Sequence, residues 1–440
     1  MSSTARSHRN GSSPLHFPVS KRQFLKQASV LALGAASMGA WSRASADSPR
    51  IVVIGGGFGG ATAAKYIRLW APEIEVTLIE RNRNFVSCPL SNRVLAGQTR
   101  LADLTRGYQA LAARYGIKVV HDEVVGIDPD SRRVTLKGGD VLPYDRLIVS
   151  PGVDFLYDEL PGLGDLAAQE RVLHAWKAGA QTLALRRQLE SVRDGGVYAI
   201  TIPKAPYRCP PGPYERACQV AWYFKTQKPK SKVIILDANE KVQSKEALFT
   251  KVWKEWYPGI VEYRPNSTLL DVDVASLTAK LEFEDVKADV LNVVPPQRAA
   301  RIAADTGLIT ANDKWVGVDF LTYESVAKKN IHVLGDAILA APLMPKSGHM
   351  ANQHAKVAAA AVIALLRGDA PNADPVINNT CYSFVSDKQV IHVASVHRYE
   401  VEKKTMIVAA GASGVSSGAS ELEGSYAESW GRNIWADMLD

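Results

Sequence analysis

Cysteine is scarce in this 440-residue chain: Cys88, Cys209, Cys218 and Cys381 are the only four. No two of them form C-x-x-C and none enters C-x-x-C-H, which excludes a zinc ribbon and a c-type haem attachment on this chain. Beyond the N-terminal 46 residues, no stretch reaches the roughly 18 apolar residues that a membrane-spanning helix needs. Acidic residues are missing from those first 46, which hold six basic ones, Arg6, Arg9, Lys21, Arg22, Lys26 and Arg43. Without these six the net charge of +7 falls to +1, so the basic balance belongs to the leader and argues for neither a nucleic-acid nor a membrane-surface partner.

The leader itself reads as an export signal over residues 1–46. Ser20-Lys-Arg-Gln-Phe-Leu-Lys26 precedes a mildly apolar run from Ala28 to Ala40, and Ala44-Ser45-Ala46 fits an A-x-A cleavage site. The long charged region and the Phe-Leu-Lys resemble a twin-arginine signal, with Lys21 standing where the first arginine belongs. The mature protein is expected in the periplasm.

What the chain has is concentrated between Ile51 and Glu80. Ile51 to Ile54 runs into Gly55-x-Gly57-x-x-Gly60, a helical pattern follows, and a second strand from Glu75 to Ile79 ends at Glu80. The first glycine permits the tight turn, the second lets the backbone approach a pyrophosphate, and the third lets helix and strand pack closely. The helix N-terminus offers N–H groups to phosphate, and Glu80 can accept from ribose hydroxyls. The spacing therefore predicts a dinucleotide-binding unit.

Further on, short strands are expected over 117–120, 124–127 and 132–136. The buried strand Tyr144–Val149 then breaks at Ser150-Pro151-Gly152, as in the strand that closes an FAD domain. Residues 175–190 read as helix. Val197–Ile202 opens a second unit of the same kind, but its loop is Pro203-Lys-Ala-Pro-Tyr-Arg-Cys-Pro-Pro-Gly-Pro-Tyr-Glu-Arg216. Prolines fix φ and remove N–H donors, so this loop cannot wrap a pyrophosphate, although Asp237 ends the next strand where a ribose-binding acid would stand. A strand from Lys287 to Val294 leads into Pro295-Pro-Gln-Arg298, a crossover back to the first unit. Ile331 to Ala337 carries a Gly335-Asp336 that resembles the second FAD motif of such proteins, and Pro345-Lys346-Ser347-Gly348 precedes an alanine-rich helix whose positive end can face a flavin. Gly411 to Gly418 reads as a mobile loop, and Tyr426 to Trp435 carries aromatics at helical spacing, which core packing explains best.

With these residues in hand, the mature chain resembles the flavoprotein subunit of flavocytochrome c sulfide dehydrogenase, nearly end to end. The carrying stretches are the fingerprint with Ala61 to Ile67, Cys88-Pro-Leu-Ser-Asn92, His174-Ala-Trp-Lys-Ala-Gly179, Arg208 to Arg216, Val294 to Arg298 and Met344-Pro-Lys-Ser-Gly348. The resemblance implies FAD bonded through sulfur to Cys88, and a redox-active cysteine at Cys209. It places the second redox cysteine after the Gly-Asp-Ala of the second FAD motif, where this chain has Ile338. Cys209 then acts alone, or pairs with Cys218 or Cys381, or the protein has turned to another donor. Glu215 matches a suspected family base, while a first-turn acid that favours the helix dipole is the plainer reading.

The expected fold is α/β, of the glutathione-reductase type, with two dinucleotide-binding domains and a C-terminal α+β interface domain. Residues 47–160 and 294–370 make the FAD-binding domain, 161–293 a degenerate second dinucleotide-like domain, and 371–440 the interface domain. Cofactor contacts are expected from Gly55, Gly57, Gly60, Glu80, Cys88, Ser150, Gly152, Asp336 and Lys346, catalysis from Cys209 and Glu215, and no metal. The expected activity is oxidation of sulfide or a related sulfur compound through FAD, with electrons leaving to a separate c-type cytochrome subunit. The alternatives are a sulfide:quinone reductase with Trp430 and Trp435 on a membrane-binding tail, a non-catalytic flavin-loaded subunit, and a pyridine-nucleotide oxidoreductase.

Overall fold

The computed structural model of the chain describes residues 48–440, so the export signal expected over 1–46 lies outside the described residues. The leading unit comprises β1 (Arg50–Ile54), α1 (Phe58–Trp70), β2 (Glu75–Ile79), β3 (Lys118–Val120) and β4 (Arg146–Val149). β1 is buried on both faces from Ile51 to Ile54, which is why it reads as an unbroken apolar run and not as an alternation. It pairs in parallel with β2 and β4, β2 pairs in parallel with β3, and a fifth parallel strand, Ile331–Val333, arrives from far along the chain beside β4. Gly55 turns the chain at φ +94°, a backbone that L side chains rarely adopt. A Cβ at Gly60 would collide with the Gly55 carbonyl oxygen, so only glycine lets α1 lie this close to β1.

The second unit repeats the plan with β5 (Val197–Ile202), α2 (Gly212–Gln227), β6 (Lys232–Asp237), α3 (Glu246–Trp256), β7 (Val261–Arg264) and β8 (Val290–Val293). Its four strands are all parallel, in the order β7-β6-β5-β8. An aromatic core of Tyr198, Tyr214, Phe224, Phe249, Trp253 and Tyr257 fills the space under α2 and α3. The two chain crossings between the units run side by side, where Val153–Phe155 pairs antiparallel with Gln297–Ala299.

The chain then supplies β9 (Ile331–Val333) to the first sheet and enters α4 (Gly348–Arg367). Ser347 caps α4 by accepting from the Met350 N–H at 3.1 Å, and the helix ends at Gly368 with φ +80°. α4 packs on α1, and buried alanines of both helices, Ala61 and Ala64 on α1 and Ala355 and Ala358 on α4, belong to the same core. Between these helices Asn352 donates to the Thr62 hydroxyl at 3.0 Å. An antiparallel sheet of β10 (Val376–Phe384), β11 (Val390–Glu400) and β12 (Thr405–Val415) follows, and α5 (Glu421–Leu439) closes the chain. α5 is fastened to α1: Lys65 donates to the Ala436 carbonyl at 2.9 Å, and Tyr66 to Asp437 at 2.5 Å. Among the described residues no helix is long and apolar enough to cross a membrane.

The fold is thus α/β with two parallel dinucleotide-type sheets and a C-terminal α+β part. Three local expectations give way. The helix expected from residue 175 starts only at Ala180. The carbonyls of His174 and Ala175 are taken by Arg216, at 2.8 and 2.7 Å, so they are not available to a helix. The strand expected over 287–294 is two strands, Asp285–Lys287 in a small antiparallel sheet and β8 from Val290. Gly411 to Val415, expected as loop, lies in β12, where the backbone ladder pairs Ser413 with Ser395 and Val415 with Val393. A ladder of main-chain bonds needs no side chain, so small residues do not prevent it.

Candidate active site

A cavity of about 1010 Å³ opens at the C-terminal ends of β1, β2 and β4. That edge is where parallel α/β sheets hold ligands. Three helix N-termini converge on it, those of α1 at Gly57 to Gly59, α2 at Pro211 and Gly212, and α4 at Ser347 to His349. Each brings N–H groups without helical partners and a partial positive charge.

Gly55, Gly57, Glu80, Ser150, Gly152 and Asp336 all line this cavity, and Gly60 stands just behind the first two, against the Gly55 carbonyl. A Cβ built on Gly57 would meet nothing within 4 Å, so the approach to the α1 N-terminus is open. Glu80 fixes the glycine loop: one carboxylate oxygen accepts from the Gly56 N–H at 2.8 Å, and the other from Asn82. The Ser150 N–H donates to Ile54, and Gly152 turns the chain at φ +70°. Asp336 keeps a buried carboxylate oxygen without any partner, and burial raises its pKa. A buried carboxylate facing a cavity with an oxygen unengaged fits the hydroxyls of a sugar-like chain. These residues fit FAD: α1 would take the pyrophosphate, Glu80 the ribose and Asp336 the ribityl chain.

Lys346 is the exception. Its ammonium turns from the cavity, donates to the Asp336 and Ile338 carbonyls and lies 3.7 Å over the Trp315 ring. The expected cofactor contact from this side chain is therefore corrected. Its backbone serves the site instead, since the Lys346 carbonyl accepts from the Cys209 N–H at 2.8 Å. Burial lowers the Lys346 pKa to about 7.

Cys88 lies on the cavity wall. Its sulfur contacts the Ala178 N–H at 3.4 Å and a guanidinium nitrogen of Arg208 at 3.7 Å. Arg208 is anchored by its side chain to the Trp176 carbonyl, and its backbone N–H donates to Gln297 at 2.9 Å. The proline-rich loop thus faces the cavity of the first unit with Arg208, Cys209, Pro211 and Gly212. In the second unit itself, Asp237 is fully engaged. Tyr214 and Tyr263 donate to one of its oxygens at 2.7 and 3.0 Å, and Asn239 donates twice to the other. Each Asp237 oxygen thus has two donors and the residue is fully buried, whereas Glu80 lines the cavity with one oxygen that has a single donor and can accept from a ribose.

Cys209 sits at φ +60° beside Gly212 and Trp176, and burial, then Cys381 and Glu215, push its thiol pKa up. Cys381, on β10, lines the same cavity and receives a sulfur contact from the Asn379 amide at 3.4 Å. The other candidate falls away: Cys218 points into the aromatic core, where the Trp253 indole N–H meets its sulfur at 3.2 Å. Ile338, which carries no sulfur, is 1% exposed and packs in the first unit's core. Of the two candidate partners, Cys381 is the one that lines the cavity with Cys209. All four cysteines are unbridged in the structure.

Glu215 lines the cavity as the first acid of α2, with both oxygens held, one by the Phe384 N–H at 3.0 Å and one by Asn92 at 2.9 Å. Burial raises its pKa, while Phe384, Asn92 and Lys245 oppose the rise. The carboxylate ties three elements together, so the sequence readings of base and of structural acid meet in one side chain. Arg208 and Lys245 escaped the sequence reading, which held Cys381 only as one of two possible partners for Cys209. For Cys381 the signal was the alternation Asn379, Cys381, Ser383, which puts one thiol between two polar groups on a single strand face. No group of three or more His, Cys, Asp or Glu among the described residues is arranged to hold a metal.

Comparison with known proteins bears on this geometry. Residues 182–295 match the family model of the central part of the sulfide dehydrogenase [flavocytochrome c] flavoprotein chain, and 373–439 that of the flavocytochrome c sulphide dehydrogenase flavin-binding region. Residues 49–193 match the pyridine nucleotide-disulphide oxidoreductase model. The sulfide dehydrogenase flavoprotein chain of Chlorobaculum thiosulfatiphilum is 60% identical over 45 residues, which is 10% of this chain and 94% of that sequence. A mitochondrial sulfide:quinone oxidoreductase of Dictyostelium discoideum is 24% identical over 65% of each chain. Among the sulfide:quinone relatives the matched stretch spans 25% to 65% of their length. In three dimensions the sulfide:quinone oxidoreductase of Aquifex aeolicus has a TM-score of 0.74 at 18% identity, covering 89% of this chain and 91% of that one, which shows a common fold.

Proposed function

The chain belongs to the family of flavocytochrome c sulfide dehydrogenase flavoprotein chains, and from that premise we propose that it oxidises sulfide, or a related reduced sulfur compound, in the periplasm with FAD in the cavity described above. FAD, when bound, accepts an electron pair and releases electrons singly. Cys88 tethers it through a thioether, and the acceptor is a separate c-type cytochrome subunit. Cys209 and Cys381 form the redox pair. Hydrosulfide bonds to one sulfur of their disulfide, the S–S bond breaks, and the other sulfur leaves as a thiolate. Gly212, Trp176 and the Lys346 carbonyl hold Cys209 at the cavity wall, and Glu215 can take a proton from a thiol there.

The observation that carries the reading is the convergence of Cys88, Cys209 and Cys381 on one flavin-sized cavity, from three separate parts of the chain. Mass mapping of the mature, non-reduced protein tests it, together with anaerobic sulfide titration. The expected result is flavin on the Cys88 peptide, a bridge between the Cys209 and Cys381 peptides, and two-electron bleaching of the flavin. A flavin that stays oxidised under sulfide overturns the reading and favours the non-catalytic subunit.

The quinone-reductase alternative has the relatives above in its favour. Against it, Trp435 is 6% exposed under Arg106, and Trp430 lies beside His349 and Tyr382 at the cavity. Neither indole is presented for a bilayer.

A further inference from the structure

One buried cation belongs to none of the roles assigned so far. Lys245 precedes α3 at φ +57°, a backbone conformation that few non-glycine residues adopt. It is 7% exposed. Its ammonium donates to the Cys381 carbonyl at 3.0 Å and to the Ser383 hydroxyl at 2.7 Å, both neutral oxygens, and it forms no ion pair among the described residues. A lysine ammonium has three donors, and a desolvated charge is costly unless an anion lies close by. Cys381 and then Glu215 are the ionisable neighbours that most favour its charge.

The strand face supplies a candidate for that anion. Asn379, Cys381 and Ser383 alternate along β10 and share one face. Cys381 stands on that face between Asn379, whose amide contacts its sulfur at 3.4 Å, and Ser383, whose hydroxyl accepts from Lys245. We propose that Lys245 is the positioning residue that favours the thiolate of Cys381, and so makes Cys381 the leaving sulfur when hydrosulfide opens the Cys209–Cys381 disulfide. The step balances: the hydrosulfide sulfur bonds to Cys209 and keeps its proton as the persulfide, and the electron pair of the broken S–S bond departs on Cys381. A leaving thiol of lower pKa departs faster.

The surrounding charges agree with this direction. Burial raises the Cys381 pKa, and Lys245 is the first neighbour that opposes the rise. For Cys209, by contrast, Cys381 and Glu215 act first and against ionisation, and Arg208 and Lys245 favour it more weakly. The other titratable groups near Cys381 are Glu215 on α2, which disfavours the thiolate, Cys209 across the cavity, and His349 on α4, bonded to the neighbouring residue Thr380. His349 accepts from the Thr380 N–H at 3.0 Å and is kept neutral by burial, with its pKa lowered to about 4. Burial lowers the Lys245 pKa to about 8, so it is charged at neutral pH.

The inference rests on the disulfide reading above, and its test separates the two. In reduced holoprotein, the rate of iodoacetamide alkylation at Cys381 is followed by peptide mass across pH. In Lys245→Met the midpoint should rise by about one pH unit or more, an about tenfold slower reaction near pH 7.5, and Lys245→Arg should restore the wild-type midpoint. An unchanged midpoint in Lys245→Met, with flavin absorbance and near-UV dichroism intact, overturns the proposal. If Lys245→Met does not fold, Ser383→Ala, which releases the ammonium from its hydroxyl acceptor, should raise the midpoint by a smaller amount, and no change there overturns it equally. A missing Cys209–Cys381 bridge in non-reduced protein, with a midpoint that still depends on Lys245, would sink the disulfide and leave the thiolate assignment standing.

Discussion

The two parallel sheets share a plan and differ in what stands at their ends. After β1 the chain has Gly55, Gly57 and Gly60, an open helix N-terminus, and Glu80 holding the loop in place at the cavity wall. After β5 it has a proline-rich loop that points its cysteine back at the first unit's cavity, and an Asp237 whose oxygens are all bonded within the fold. Strand order and burial make a scaffold. Ligand binding depends on a few N–H groups left unblocked and a carboxylate left accessible. The second sheet has kept the scaffold and lent its loop to the first.

The largest effect expected from breaking this contrast is at Gly60. Gly60→Val drives a side chain into the Gly55 carbonyl, and the protein should purify without flavin, as read by visible absorbance per mole of chain. The reverse change should do nothing: with Pro210→Gly and Pro211→Gly together, NADH should leave the flavin oxidised under anaerobic conditions, as in the wild type. Bleaching by NADH in either protein would break the comparison, because Asp237 stays engaged in both.

Next come the thiols. Cys209→Ser and Cys381→Ser should each reduce sulfide-driven flavin bleaching to about a hundredth of the wild-type rate or less. Cys218→Ser should leave that rate unchanged, since Cys218 faces Trp253 in the second unit's core, where burial holds its pKa up at about 12. Stopped-flow mixing of the three variants with sulfide reads the difference directly.

A smaller pair of effects separates the two acids. Glu80→Gln should weaken flavin retention, measured by flavin release on dilution in a Cys88→Ser background, where no tether can form. Asp237→Asn should leave flavin in place and lower unfolding free energy by about 2–3 kcal/mol, because it removes the charge that Tyr214 and Tyr263 both donate to. If Asp237→Asn released flavin and Glu80→Gln destabilised the fold, the roles assigned to the two ends would be exchanged.

How much of this was legible follows from which rule each residue obeys. The first unit could be read because glycine spacing, an apolar run buried on both faces and a terminal acid are all local in sequence, and β2, β5 and β6 fall where the pattern put them. The absent second nucleotide site was equally local, since prolines announce the donors they lack. Three-dimensional convergence was not legible. Cys381 shares a cavity with Cys209 because β10 packs against α2, where the Phe384 N–H ends on Glu215 from 169 residues away. The sequence already denied a sulfur at position 338, where Ile338 packs in the first unit's core, but it could not choose between Cys218 and Cys381 as partners for Cys209. Lys346 was misread because its position before α4 is the right one for a flavin contact. Its side chain is drawn off by the carbonyls of Asp336 and Ile338, which no sequence pattern reports.

Lys346 also gives the smallest and most specific prediction. Burial lowers its pKa from the ordinary lysine value of 10.5 to about 7. Between those two values the unfolded chain holds a proton that the folded chain has shed, so stability rises with pH across that window, and below pH 7 the buried charge weighs against the fold. From pH 7 to 8 the rise should amount to about 1 kcal/mol, read from urea midpoints. Lys346→Met should remove most of the rise over that interval. Lys245, with a pKa lowered to about 8, acts in the same sense and leaves a residual rise of about 0.4 kcal/mol from pH 7 to 8. If Lys346→Met keeps the wild-type slope, then the first unit does not carry the charge burden described here, and the contrast between a cavity-facing backbone and an inward-turned side chain at this residue would need to be redrawn.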